Sequence, residues 1–222
     1  MAPAKSTMLQ MLVDTGVYLV TEDRIPGERR LRAVEEALSG GARVIQLRDK
    51  GTPKRLLLEE ARAMKALCVR AGALLVVNDD VALAWCVDAD GVHVGQEDLP
   101  APEVRRLLGD AKLIGLSVSA VEQALEADRL GVDYIGVGAI FATPTKQNAK
   151  QRGLELLRGV RQRVSMPLVA IGGIDHENAA SVFDAGADAV AVVRAAFAQP
   201  DVSVATRRLL EIAGEARARR ST

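Results

Sequence analysis

The sequence predicts an α/β protein built as a closed (β/α)₈ barrel, and three observations carry that reading. Eight short runs rich in Val, Ile, Leu and Ala recur along the chain, segments of helical period separate them, and one glycine-led junction returns where helices hand over to strands. Strict alternation of strand and helix implies a parallel sheet with right-handed crossovers. Eight such units within 222 residues favour a closed barrel of the TIM type over a doubly wound sheet. The chain reads as one domain over 1–222, with 1–14 as an N-terminal extension and 217–222 as a basic C-terminal tail.

The strand candidates, in order, are 17–21, 43–47, 74–77, 91–94, 112–116, 134–137, 168–171 and 189–193. Most are nearly all apolar rather than alternating, as strands buried on both faces require. Between them, 31–38 is helical and stops at Gly40-Gly41, 53–71 is a long amphipathic stretch stopped by Gly72, 121–130 ends at Gly131, and 179–185 ends at Gly186. Glycine just past a helix tolerates the left-handed backbone that ends it. Gly41-Ala42-Arg43, Gly131-Val132-Asp133 and Gly186-Ala187-Asp188 each join a helix end to a strand, and Asp88-Ala89-Asp90-Gly91 is a looser version.

Composition narrows the function classes. Lys plus Arg and Asp plus Glu both number 29, so no global field favours nucleic acid or a membrane surface, and anion binding must come from local clusters. An apolar share of 49% suffices for a large core, yet no stretch has the ~18 uninterrupted apolar residues of a membrane helix. The N-terminus lacks an apolar leader segment, and Cys68 and Cys86 lie in apolar surroundings without metal-ligand spacing. Both cysteines read as small buried hydrophobes, and a cytoplasmic, small-molecule enzyme is the expectation. A homo-oligomer is compatible with this reading.

In such barrels the site forms at the C-terminal strand ends. After the second strand come Gln46, Leu47, Arg48, Asp49 and Lys50, in which alternate residues Gln46, Arg48 and Lys50 can point the same way. A forked guanidinium beside a mobile ammonium suits phosphate oxygens, although an ordinary solvated loop has the same composition. Asn78-Asp79-Asp80 follows the third strand and Gly95-Gln96-Glu97-Asp98 the fourth. Carboxylates on neighbouring strand ends suit a hard ion such as Mg²⁺. Helix capping by Asp79 or Asp80, and by Asp98, explains either site alone equally well; beside the cationic loop, metal is the better account. Ser117 follows the fifth strand, where cap duty is an equal reading. His93 reads as a barrel-interior or structural side chain and His176 as a helix start; neither has a triad partner pattern. The 138–147 segment, with Thr143, Pro144, Thr145 and Lys146, reads as an anion clamp able to close, against a simple turn at Pro144. Gly172-Gly173 after the seventh strand and Val193-Arg194 after the eighth occupy the usual phosphate position of these barrels.

Six motifs together resemble the thiamine phosphate synthase family: QLRDK at 46–50, ND at 78–79, GQED at 95–98, GLS at 115–117, TPTK at 143–146 and AIGGI at 170–174. They come in that family's order and spacing, nearly throughout the chain. The resemblance implies condensation of a hydroxymethylpyrimidine diphosphate with a thiazole phosphate, plain or carboxylated, through a pyrimidine cation that the thiazole nitrogen captures. It places Gln46, Leu47, Arg48, Asp49, Lys50, Asn78, Ser117 and Lys146 on the pyrimidine diphosphate, with Arg48, Lys50, Lys146 and Ser117 catalytic. It places Asp79 and Asp98 on Mg²⁺, and Thr143, Pro144, Thr145, Gly173, Val193 and Arg194 on the thiazole phosphate. Two departures stand out: Arg194 where the family usually has serine, and Ala139 where it often has proline. Arg194 could add a charge-assisted contact or, turned inward, block the site. Rival readings are a thiazole tautomerase-like paralogue, whose histidine is Ser119 here, a non-catalytic phosphate-ligand-binding barrel, and an epimerase with a His-rich metal site.

Overall fold

A computed structural model describes residues 3–22, 25, 27–143 and 151–220 of the chain. Among them the order is α1 (Lys5–Thr15), β1 (Val17–Val20), α2 (Gly27–Ser39), β2 (Val44–Leu47), α3 (Lys54–Ala71), β3 (Leu74–Asn78), α4 (Val81–Cys86), β4 (Gly91–Val94) and α5 (Ala101–Leu108). Then follow β5 (Leu113–Val118), α6 (Val121–Arg129), β6 (Tyr134–Gly138), α7 (Gly153–Arg161), β7 (Leu168–Ile171), α8 (Ala179–Asp184), β8 (Ala189–Val192), α9 (Arg194–Phe197) and α10 (Val202–Arg220). The strands pair in sequential order, all parallel, and β8 returns to β1 to close the barrel. Every expected strand is present; 91–94 and 168–171 match in full, and the others shift by at most two residues at an end.

Strand pleating sorts consecutive residues into two cores. Val17 and Leu19 face the helical layer, which also receives Ile45, Leu47, Leu75 and Val77. Tyr18 and Val20 face the barrel axis with Val44, Leu74, Val76, Leu113, Tyr134 and Val169. Small Ala189 and Ala191 complete the inner cluster.

The N-terminal stretch is more than an extension. Its helix α1 packs against β1, β2, β5 and β8 and sends Met8 and Leu12 into the inner cluster, plugging the end where the strands begin. Burying two such side chains stabilises by roughly 1.5–3 kcal/mol each. Residues 217–220, read above as part of a basic tail, are instead the last turn of α10, because Leu209, Ala213 and Ala216 on one face are buried. Arg219 also reaches Asp184 of α8 at 3.3 Å. The buried reading of Cys86 is corrected as well. The six-residue α4 buries only Leu83 and Ala84, which leaves Cys86 exposed, whereas Cys68 is buried and burial pushes its thiol up to about 12.

The recurring junction has a physical cause. Asp90, Asp133 and Asp188 stand at the entrances to β4, β6 and β8, and each accepts a backbone N–H from the first or second residue of the preceding strand: Leu75 at 2.8 Å, Ile114 at 2.8 Å and Leu168 at 2.8 Å. Each also pairs with a cation from the helix before that strand pair, Lys65 at 2.7 Å, Arg105 at 2.7 Å and Arg161 at 2.9 Å. These carboxylates staple neighbouring strands together at the end of the barrel away from the site. Asp133→Ala leaves a buried N–H and a guanidinium uncompensated, so it should cost about 3 kcal/mol in urea unfolding. Asp88, 79% exposed and paired with Lys112, is the internal control: Asp88→Ala should cost under ~1 kcal/mol. Equal losses would mean that the junction carboxylates are not staples.

Candidate active site

The loop after β2 is held from below by a buried charge cluster. Asp49 accepts from the backbone N–H groups of Gly51 (2.9 Å) and Thr52 (2.7 Å), from the Thr52 hydroxyl (2.9 Å), and from Arg30 Nη2 of α2 at 2.5 Å. Burial pushes the Asp49 carboxyl up, but these donors outweigh it and hold it down at about 2. Arg30, 2% exposed, also lies 3.2 Å from Glu60 of α3. Burial raises the Glu60 carboxyl, with Arg30 opposing and Asp49 reinforcing the shift. Thr21, just past β1, closes the other side: its hydroxyl donates to the Arg48 carbonyl at 3.1 Å and accepts from the Arg48 N–H at 3.0 Å.

This scaffold separates the five residues of 46–50. Gln46 is buried inside the barrel, where its amide donates to the Tyr18 hydroxyl at 2.9 Å. Leu47 packs its side chain in the layer between sheet and helices, and the Asp49 carboxylate is turned into its own loop. Neither side chain is presented to the rim, so only the backbone of these two residues is available to a ligand. Arg48 is half-buried and Lys50 is exposed.

Lys50 reaches across to β3, its Nζ 3.3 Å from Asp79 Oδ2. The two acidic residues after β3 divide their work. Asp80 caps α4, accepting from Leu83 N–H at 2.9 Å, and pairs with Lys54 at 2.6 Å. Asp79 is thereby free for the rim, with φ at 61°, a left-handed conformation that Asp tolerates better than most residues. Its carboxyl meets that of Asp98 from the β4 loop. Burial first, then contact with Asp98, raises the Asp79 carboxyl, while Lys50 opposes the shift. Asp98 is aimed by the Gly95 N–H, which donates to its Oδ2 at 2.7 Å. A Cβ at Gly95 would lie 2.9 Å from that oxygen, so glycine makes the turn-back feasible. Two carboxylates pressed together beside one ammonium form an oxygen-donor set that a divalent cation would relieve. Mg²⁺ is commonly held by one or two carboxylates with waters and substrate phosphates, so the pair fits it.

The hydroxyl of Ser117, in β5, lies 2.9 Å from His93 Nε2, and the Ser117 carbonyl accepts from Gln96 at 2.7 Å. Asn78 is half-buried at the end of β3. On the far side, the chain leaves β6 through a cis Gly138–Ala139 peptide. It then lies against the β7 loop, where Ile140 N–H donates to the Ile171 carbonyl and Phe141 N–H to the Gly172 carbonyl, both at 2.9 Å. A Cβ on Gly173 would sit 2.4 Å from the Ala142 carbonyl oxygen, so these two loops touch backbone to backbone. Thr143 is half-buried; Pro144, Thr145 and Lys146 lie outside the described residues. Val193 is half-buried and Arg194, at the start of α9, is exposed. Ser119 accepts a capping role, its N–H donating to Gln123 Oε1 at 2.7 Å.

The structure thus gathers Asp79, Asp98 and Lys50 at one rim. It adds side chains that sequence reasoning missed: Tyr18, Tyr134, Thr21 and Arg30. The two tyrosines are the only ones in the chain and break otherwise aliphatic strands. That interruption was the available signal.

Residues 17–196 match the family model described as thiamine monophosphate synthase. A thiamine-phosphate synthase from Chloroflexus aurantiacus is 51% identical over 200 residues, covering 89% of this chain and 92% of that protein. One from Moorella thermoacetica is 48% identical over 203 residues, covering 90% and 97%. The solved thiamine phosphate pyrophosphorylase from Pyrococcus furiosus superposes with a TM-score of 0.84 at 39% identity, covering 91% of this chain and 97% of that one.

The β2 loop yields a pH prediction. A carboxyl held below its ordinary value stabilises the fold above that value and loses the contribution as pH falls through the lowered one. Asp49→Asn should therefore cost about 3 kcal/mol at pH 7. In urea titrations the gap from the parent protein should close between about pH 4 and pH 2. A gap unchanged at pH 2.5 would show that charge on Asp49 does not hold the loop.

Proposed function

This chain belongs to the thiamine monophosphate synthase family and is a transferase that makes thiamine phosphate; on that premise we propose how its rim performs the reaction. The substrates are a hydroxymethylpyrimidine diphosphate and a thiazole phosphate, plain or carboxylated. The observation that carries the assignment of roles is the meeting of Asp79, Asp98 and Lys50 at the ends of three consecutive strands. Asp79 and Asp98 hold Mg²⁺, and Arg48, Lys50 and Lys146 bind the diphosphate, with Ser117 as a neutral donor. Gln46, Leu47, Asp49 and Asn78 complete the pyrimidine side, Leu47 and Asp49 through backbone atoms. Thr143, Pro144, Thr145, Gly173, Val193 and Arg194 hold the thiazole phosphate, on the side where the β6 and β7 loops touch.

The chemistry follows from these roles. The methylene C–O bond breaks with its electron pair leaving on the diphosphate. The positive charge spreads over the pyrimidine ring, and the thiazole nitrogen donates its lone pair to form the C–N bond. No protein nucleophile is required. When bound, Mg²⁺ neutralises charge on the leaving diphosphate. Lys50 and Arg48 add fixed positive charge where negative charge grows, each such group being worth roughly 3–4 kcal/mol at the transition state. The rim holds the two rings in line and excludes water that would capture the cation. No helix among the described residues is long and apolar enough to cross a membrane. The two free thiols suit a reducing cytoplasm.

Diphosphate release, followed by phosphorus NMR with both substrates and Mg²⁺, tests the reading; it should need all three components. Release from the pyrimidine diphosphate alone at the full rate, or none from the mixture, would overturn it. Asp79→Asn and Asp98→Asn should each raise the Mg²⁺ concentration for half-maximal rate by about tenfold or more. Asparagine also tolerates the left-handed backbone at position 79. Lys50→Ala should lower kcat/KM by about 10²–10³ with an unchanged melting temperature, since its side chain is 60% exposed. A large melting drop would instead make the lysine structural.

A further inference from the structure

A column of polar side chains runs through the barrel interior and ends at Ser117. Gln46 Nε2 donates to Tyr18 Oη at 2.9 Å; Tyr18 and Tyr134 hydroxyls are 2.9 Å apart; Tyr134 Oη is 3.2 Å from His93 Nδ1; and His93 Nε2 is 2.9 Å from Ser117 Oγ. Both tyrosines are fully enclosed, Gln46 is 4% exposed and His93 9%. The strands make room for the column. Gly115 and Gly136 flank the imidazole, and a Cβ at Gly136 would lie 2.9 Å from His93 Cε1, while one at Gly115 would overlap both His93 and Tyr134.

Proton bookkeeping gives the column a direction. An amide nitrogen only donates, so the Tyr18 oxygen accepts from Gln46 and its single O–H must go to Tyr134. Tyr134 in turn gives its O–H to His93 Nδ1, which leaves the ring proton on Nε2, facing Ser117. Burial pushes both phenols up, so each keeps the one proton this count requires. The serine oxygen accepts from the imidazole, and its own proton is left for the rim. The opposite direction would turn the serine proton inward and present only lone pairs to an anion.

We propose that His93 is a positioning residue whose Nε2–H fixes Ser117 so that the serine hydroxyl donates to the anionic leaving group. This rests on the reading of Ser117 as a diphosphate contact. The thiamine phosphate reaction should then depend on His93 through Ser117.

Nitrogen-15 NMR of the wild-type protein reads the tautomer directly. The chain has two histidines, and His176→Gln identifies the second. His93 should be protonated on Nε2 and bare on Nδ1, and Tyr134→Phe should abolish that preference while Ser117→Ala leaves it intact. Steady-state kinetics supply the second measurement. His93→Ala should lower kcat about tenfold with both KM values within about threefold, as expected for one hydrogen bond strengthened only in the transition state. His93→Gln, which keeps a donor near the Nε2 position, should recover most of the loss. In a Ser117→Ala background, His93→Ala should have no further effect. A ring protonated on Nδ1 overturns the proposal, as does an equal loss with and without Ser117. If His93→Ala fails to fold, Tyr134→Phe carries the same cycle. Absence of turnover by the wild type would sink the reading of function, while the tautomer would still decide the direction of the column.

Discussion

A closed parallel barrel obliges every strand to begin at one end and finish at the other, and both the stability and the chemistry here descend from that constraint. Because β8 returns to β1, no edge is left to pair with another chain, and residues far apart in sequence finish around one mouth. The same residue type then does opposite work at the two ends. At the strand entrances, Asp90, Asp133 and Asp188 are each matched by a strand N–H and a cation. At the exits, Asp79 and Asp98 face each other with Lys50 beside them. Matched carboxylates lock strands together; crowded ones are a binding offer to a cation.

Placing those exit residues takes a second set of interactions that never meets a ligand. Asp80 takes the cap of α4 and so leaves Asp79 to the rim. Asp49 collects four hydrogen bonds from its own loop and Arg30, which fixes where Arg48 and Lys50 depart from β2. Gly95 gives Asp98 the space to fold back onto a backbone N–H. A site on loops acquires the rigidity of the barrel in this way, through anchors one to three residues from each functional group.

Much of this was legible before any coordinates. Strands buried on both faces write themselves as apolar runs, and the strand-end rule then points to segments 46–50, 78–80 and 95–98 and to Ser117, with the family resemblance choosing Asp79 over Asp80. What stayed hidden depends on direction or on long range. Simple alternation put Gln46, Arg48 and Lys50 on one side, but it could not say that Gln46 points down the axis into a hydrogen bond with Tyr18. Nor could it say that Asp49 curls back on its loop. The α1 plug was illegible because its apolar content is modest and only Met8 and Leu12 are fully buried. The pairing of Tyr18 with Tyr134 joins residues 116 apart, beyond any local pattern.

That pairing also explains why a polar column survives in a space that aliphatic side chains could fill. Burying a hydroxyl or an imidazole costs several kcal/mol unless each hydrogen-bonding group finds a partner. Here every link has one, and the rings still fill volume, Tyr18 standing edge-on to Tyr134 at 6.0 Å and His93 tilted over Tyr134 at 5.5 Å. A fully satisfied chain of one-proton groups has only two arrangements, all donors pointing outward or all inward. The donor at its inner end therefore acts on the hydroxyl at its outer end without any part of the backbone moving. Interior packing and the polarity of a rim serine are then a single property of the fold, and a change at Gln46 or Tyr18 is felt at Ser117.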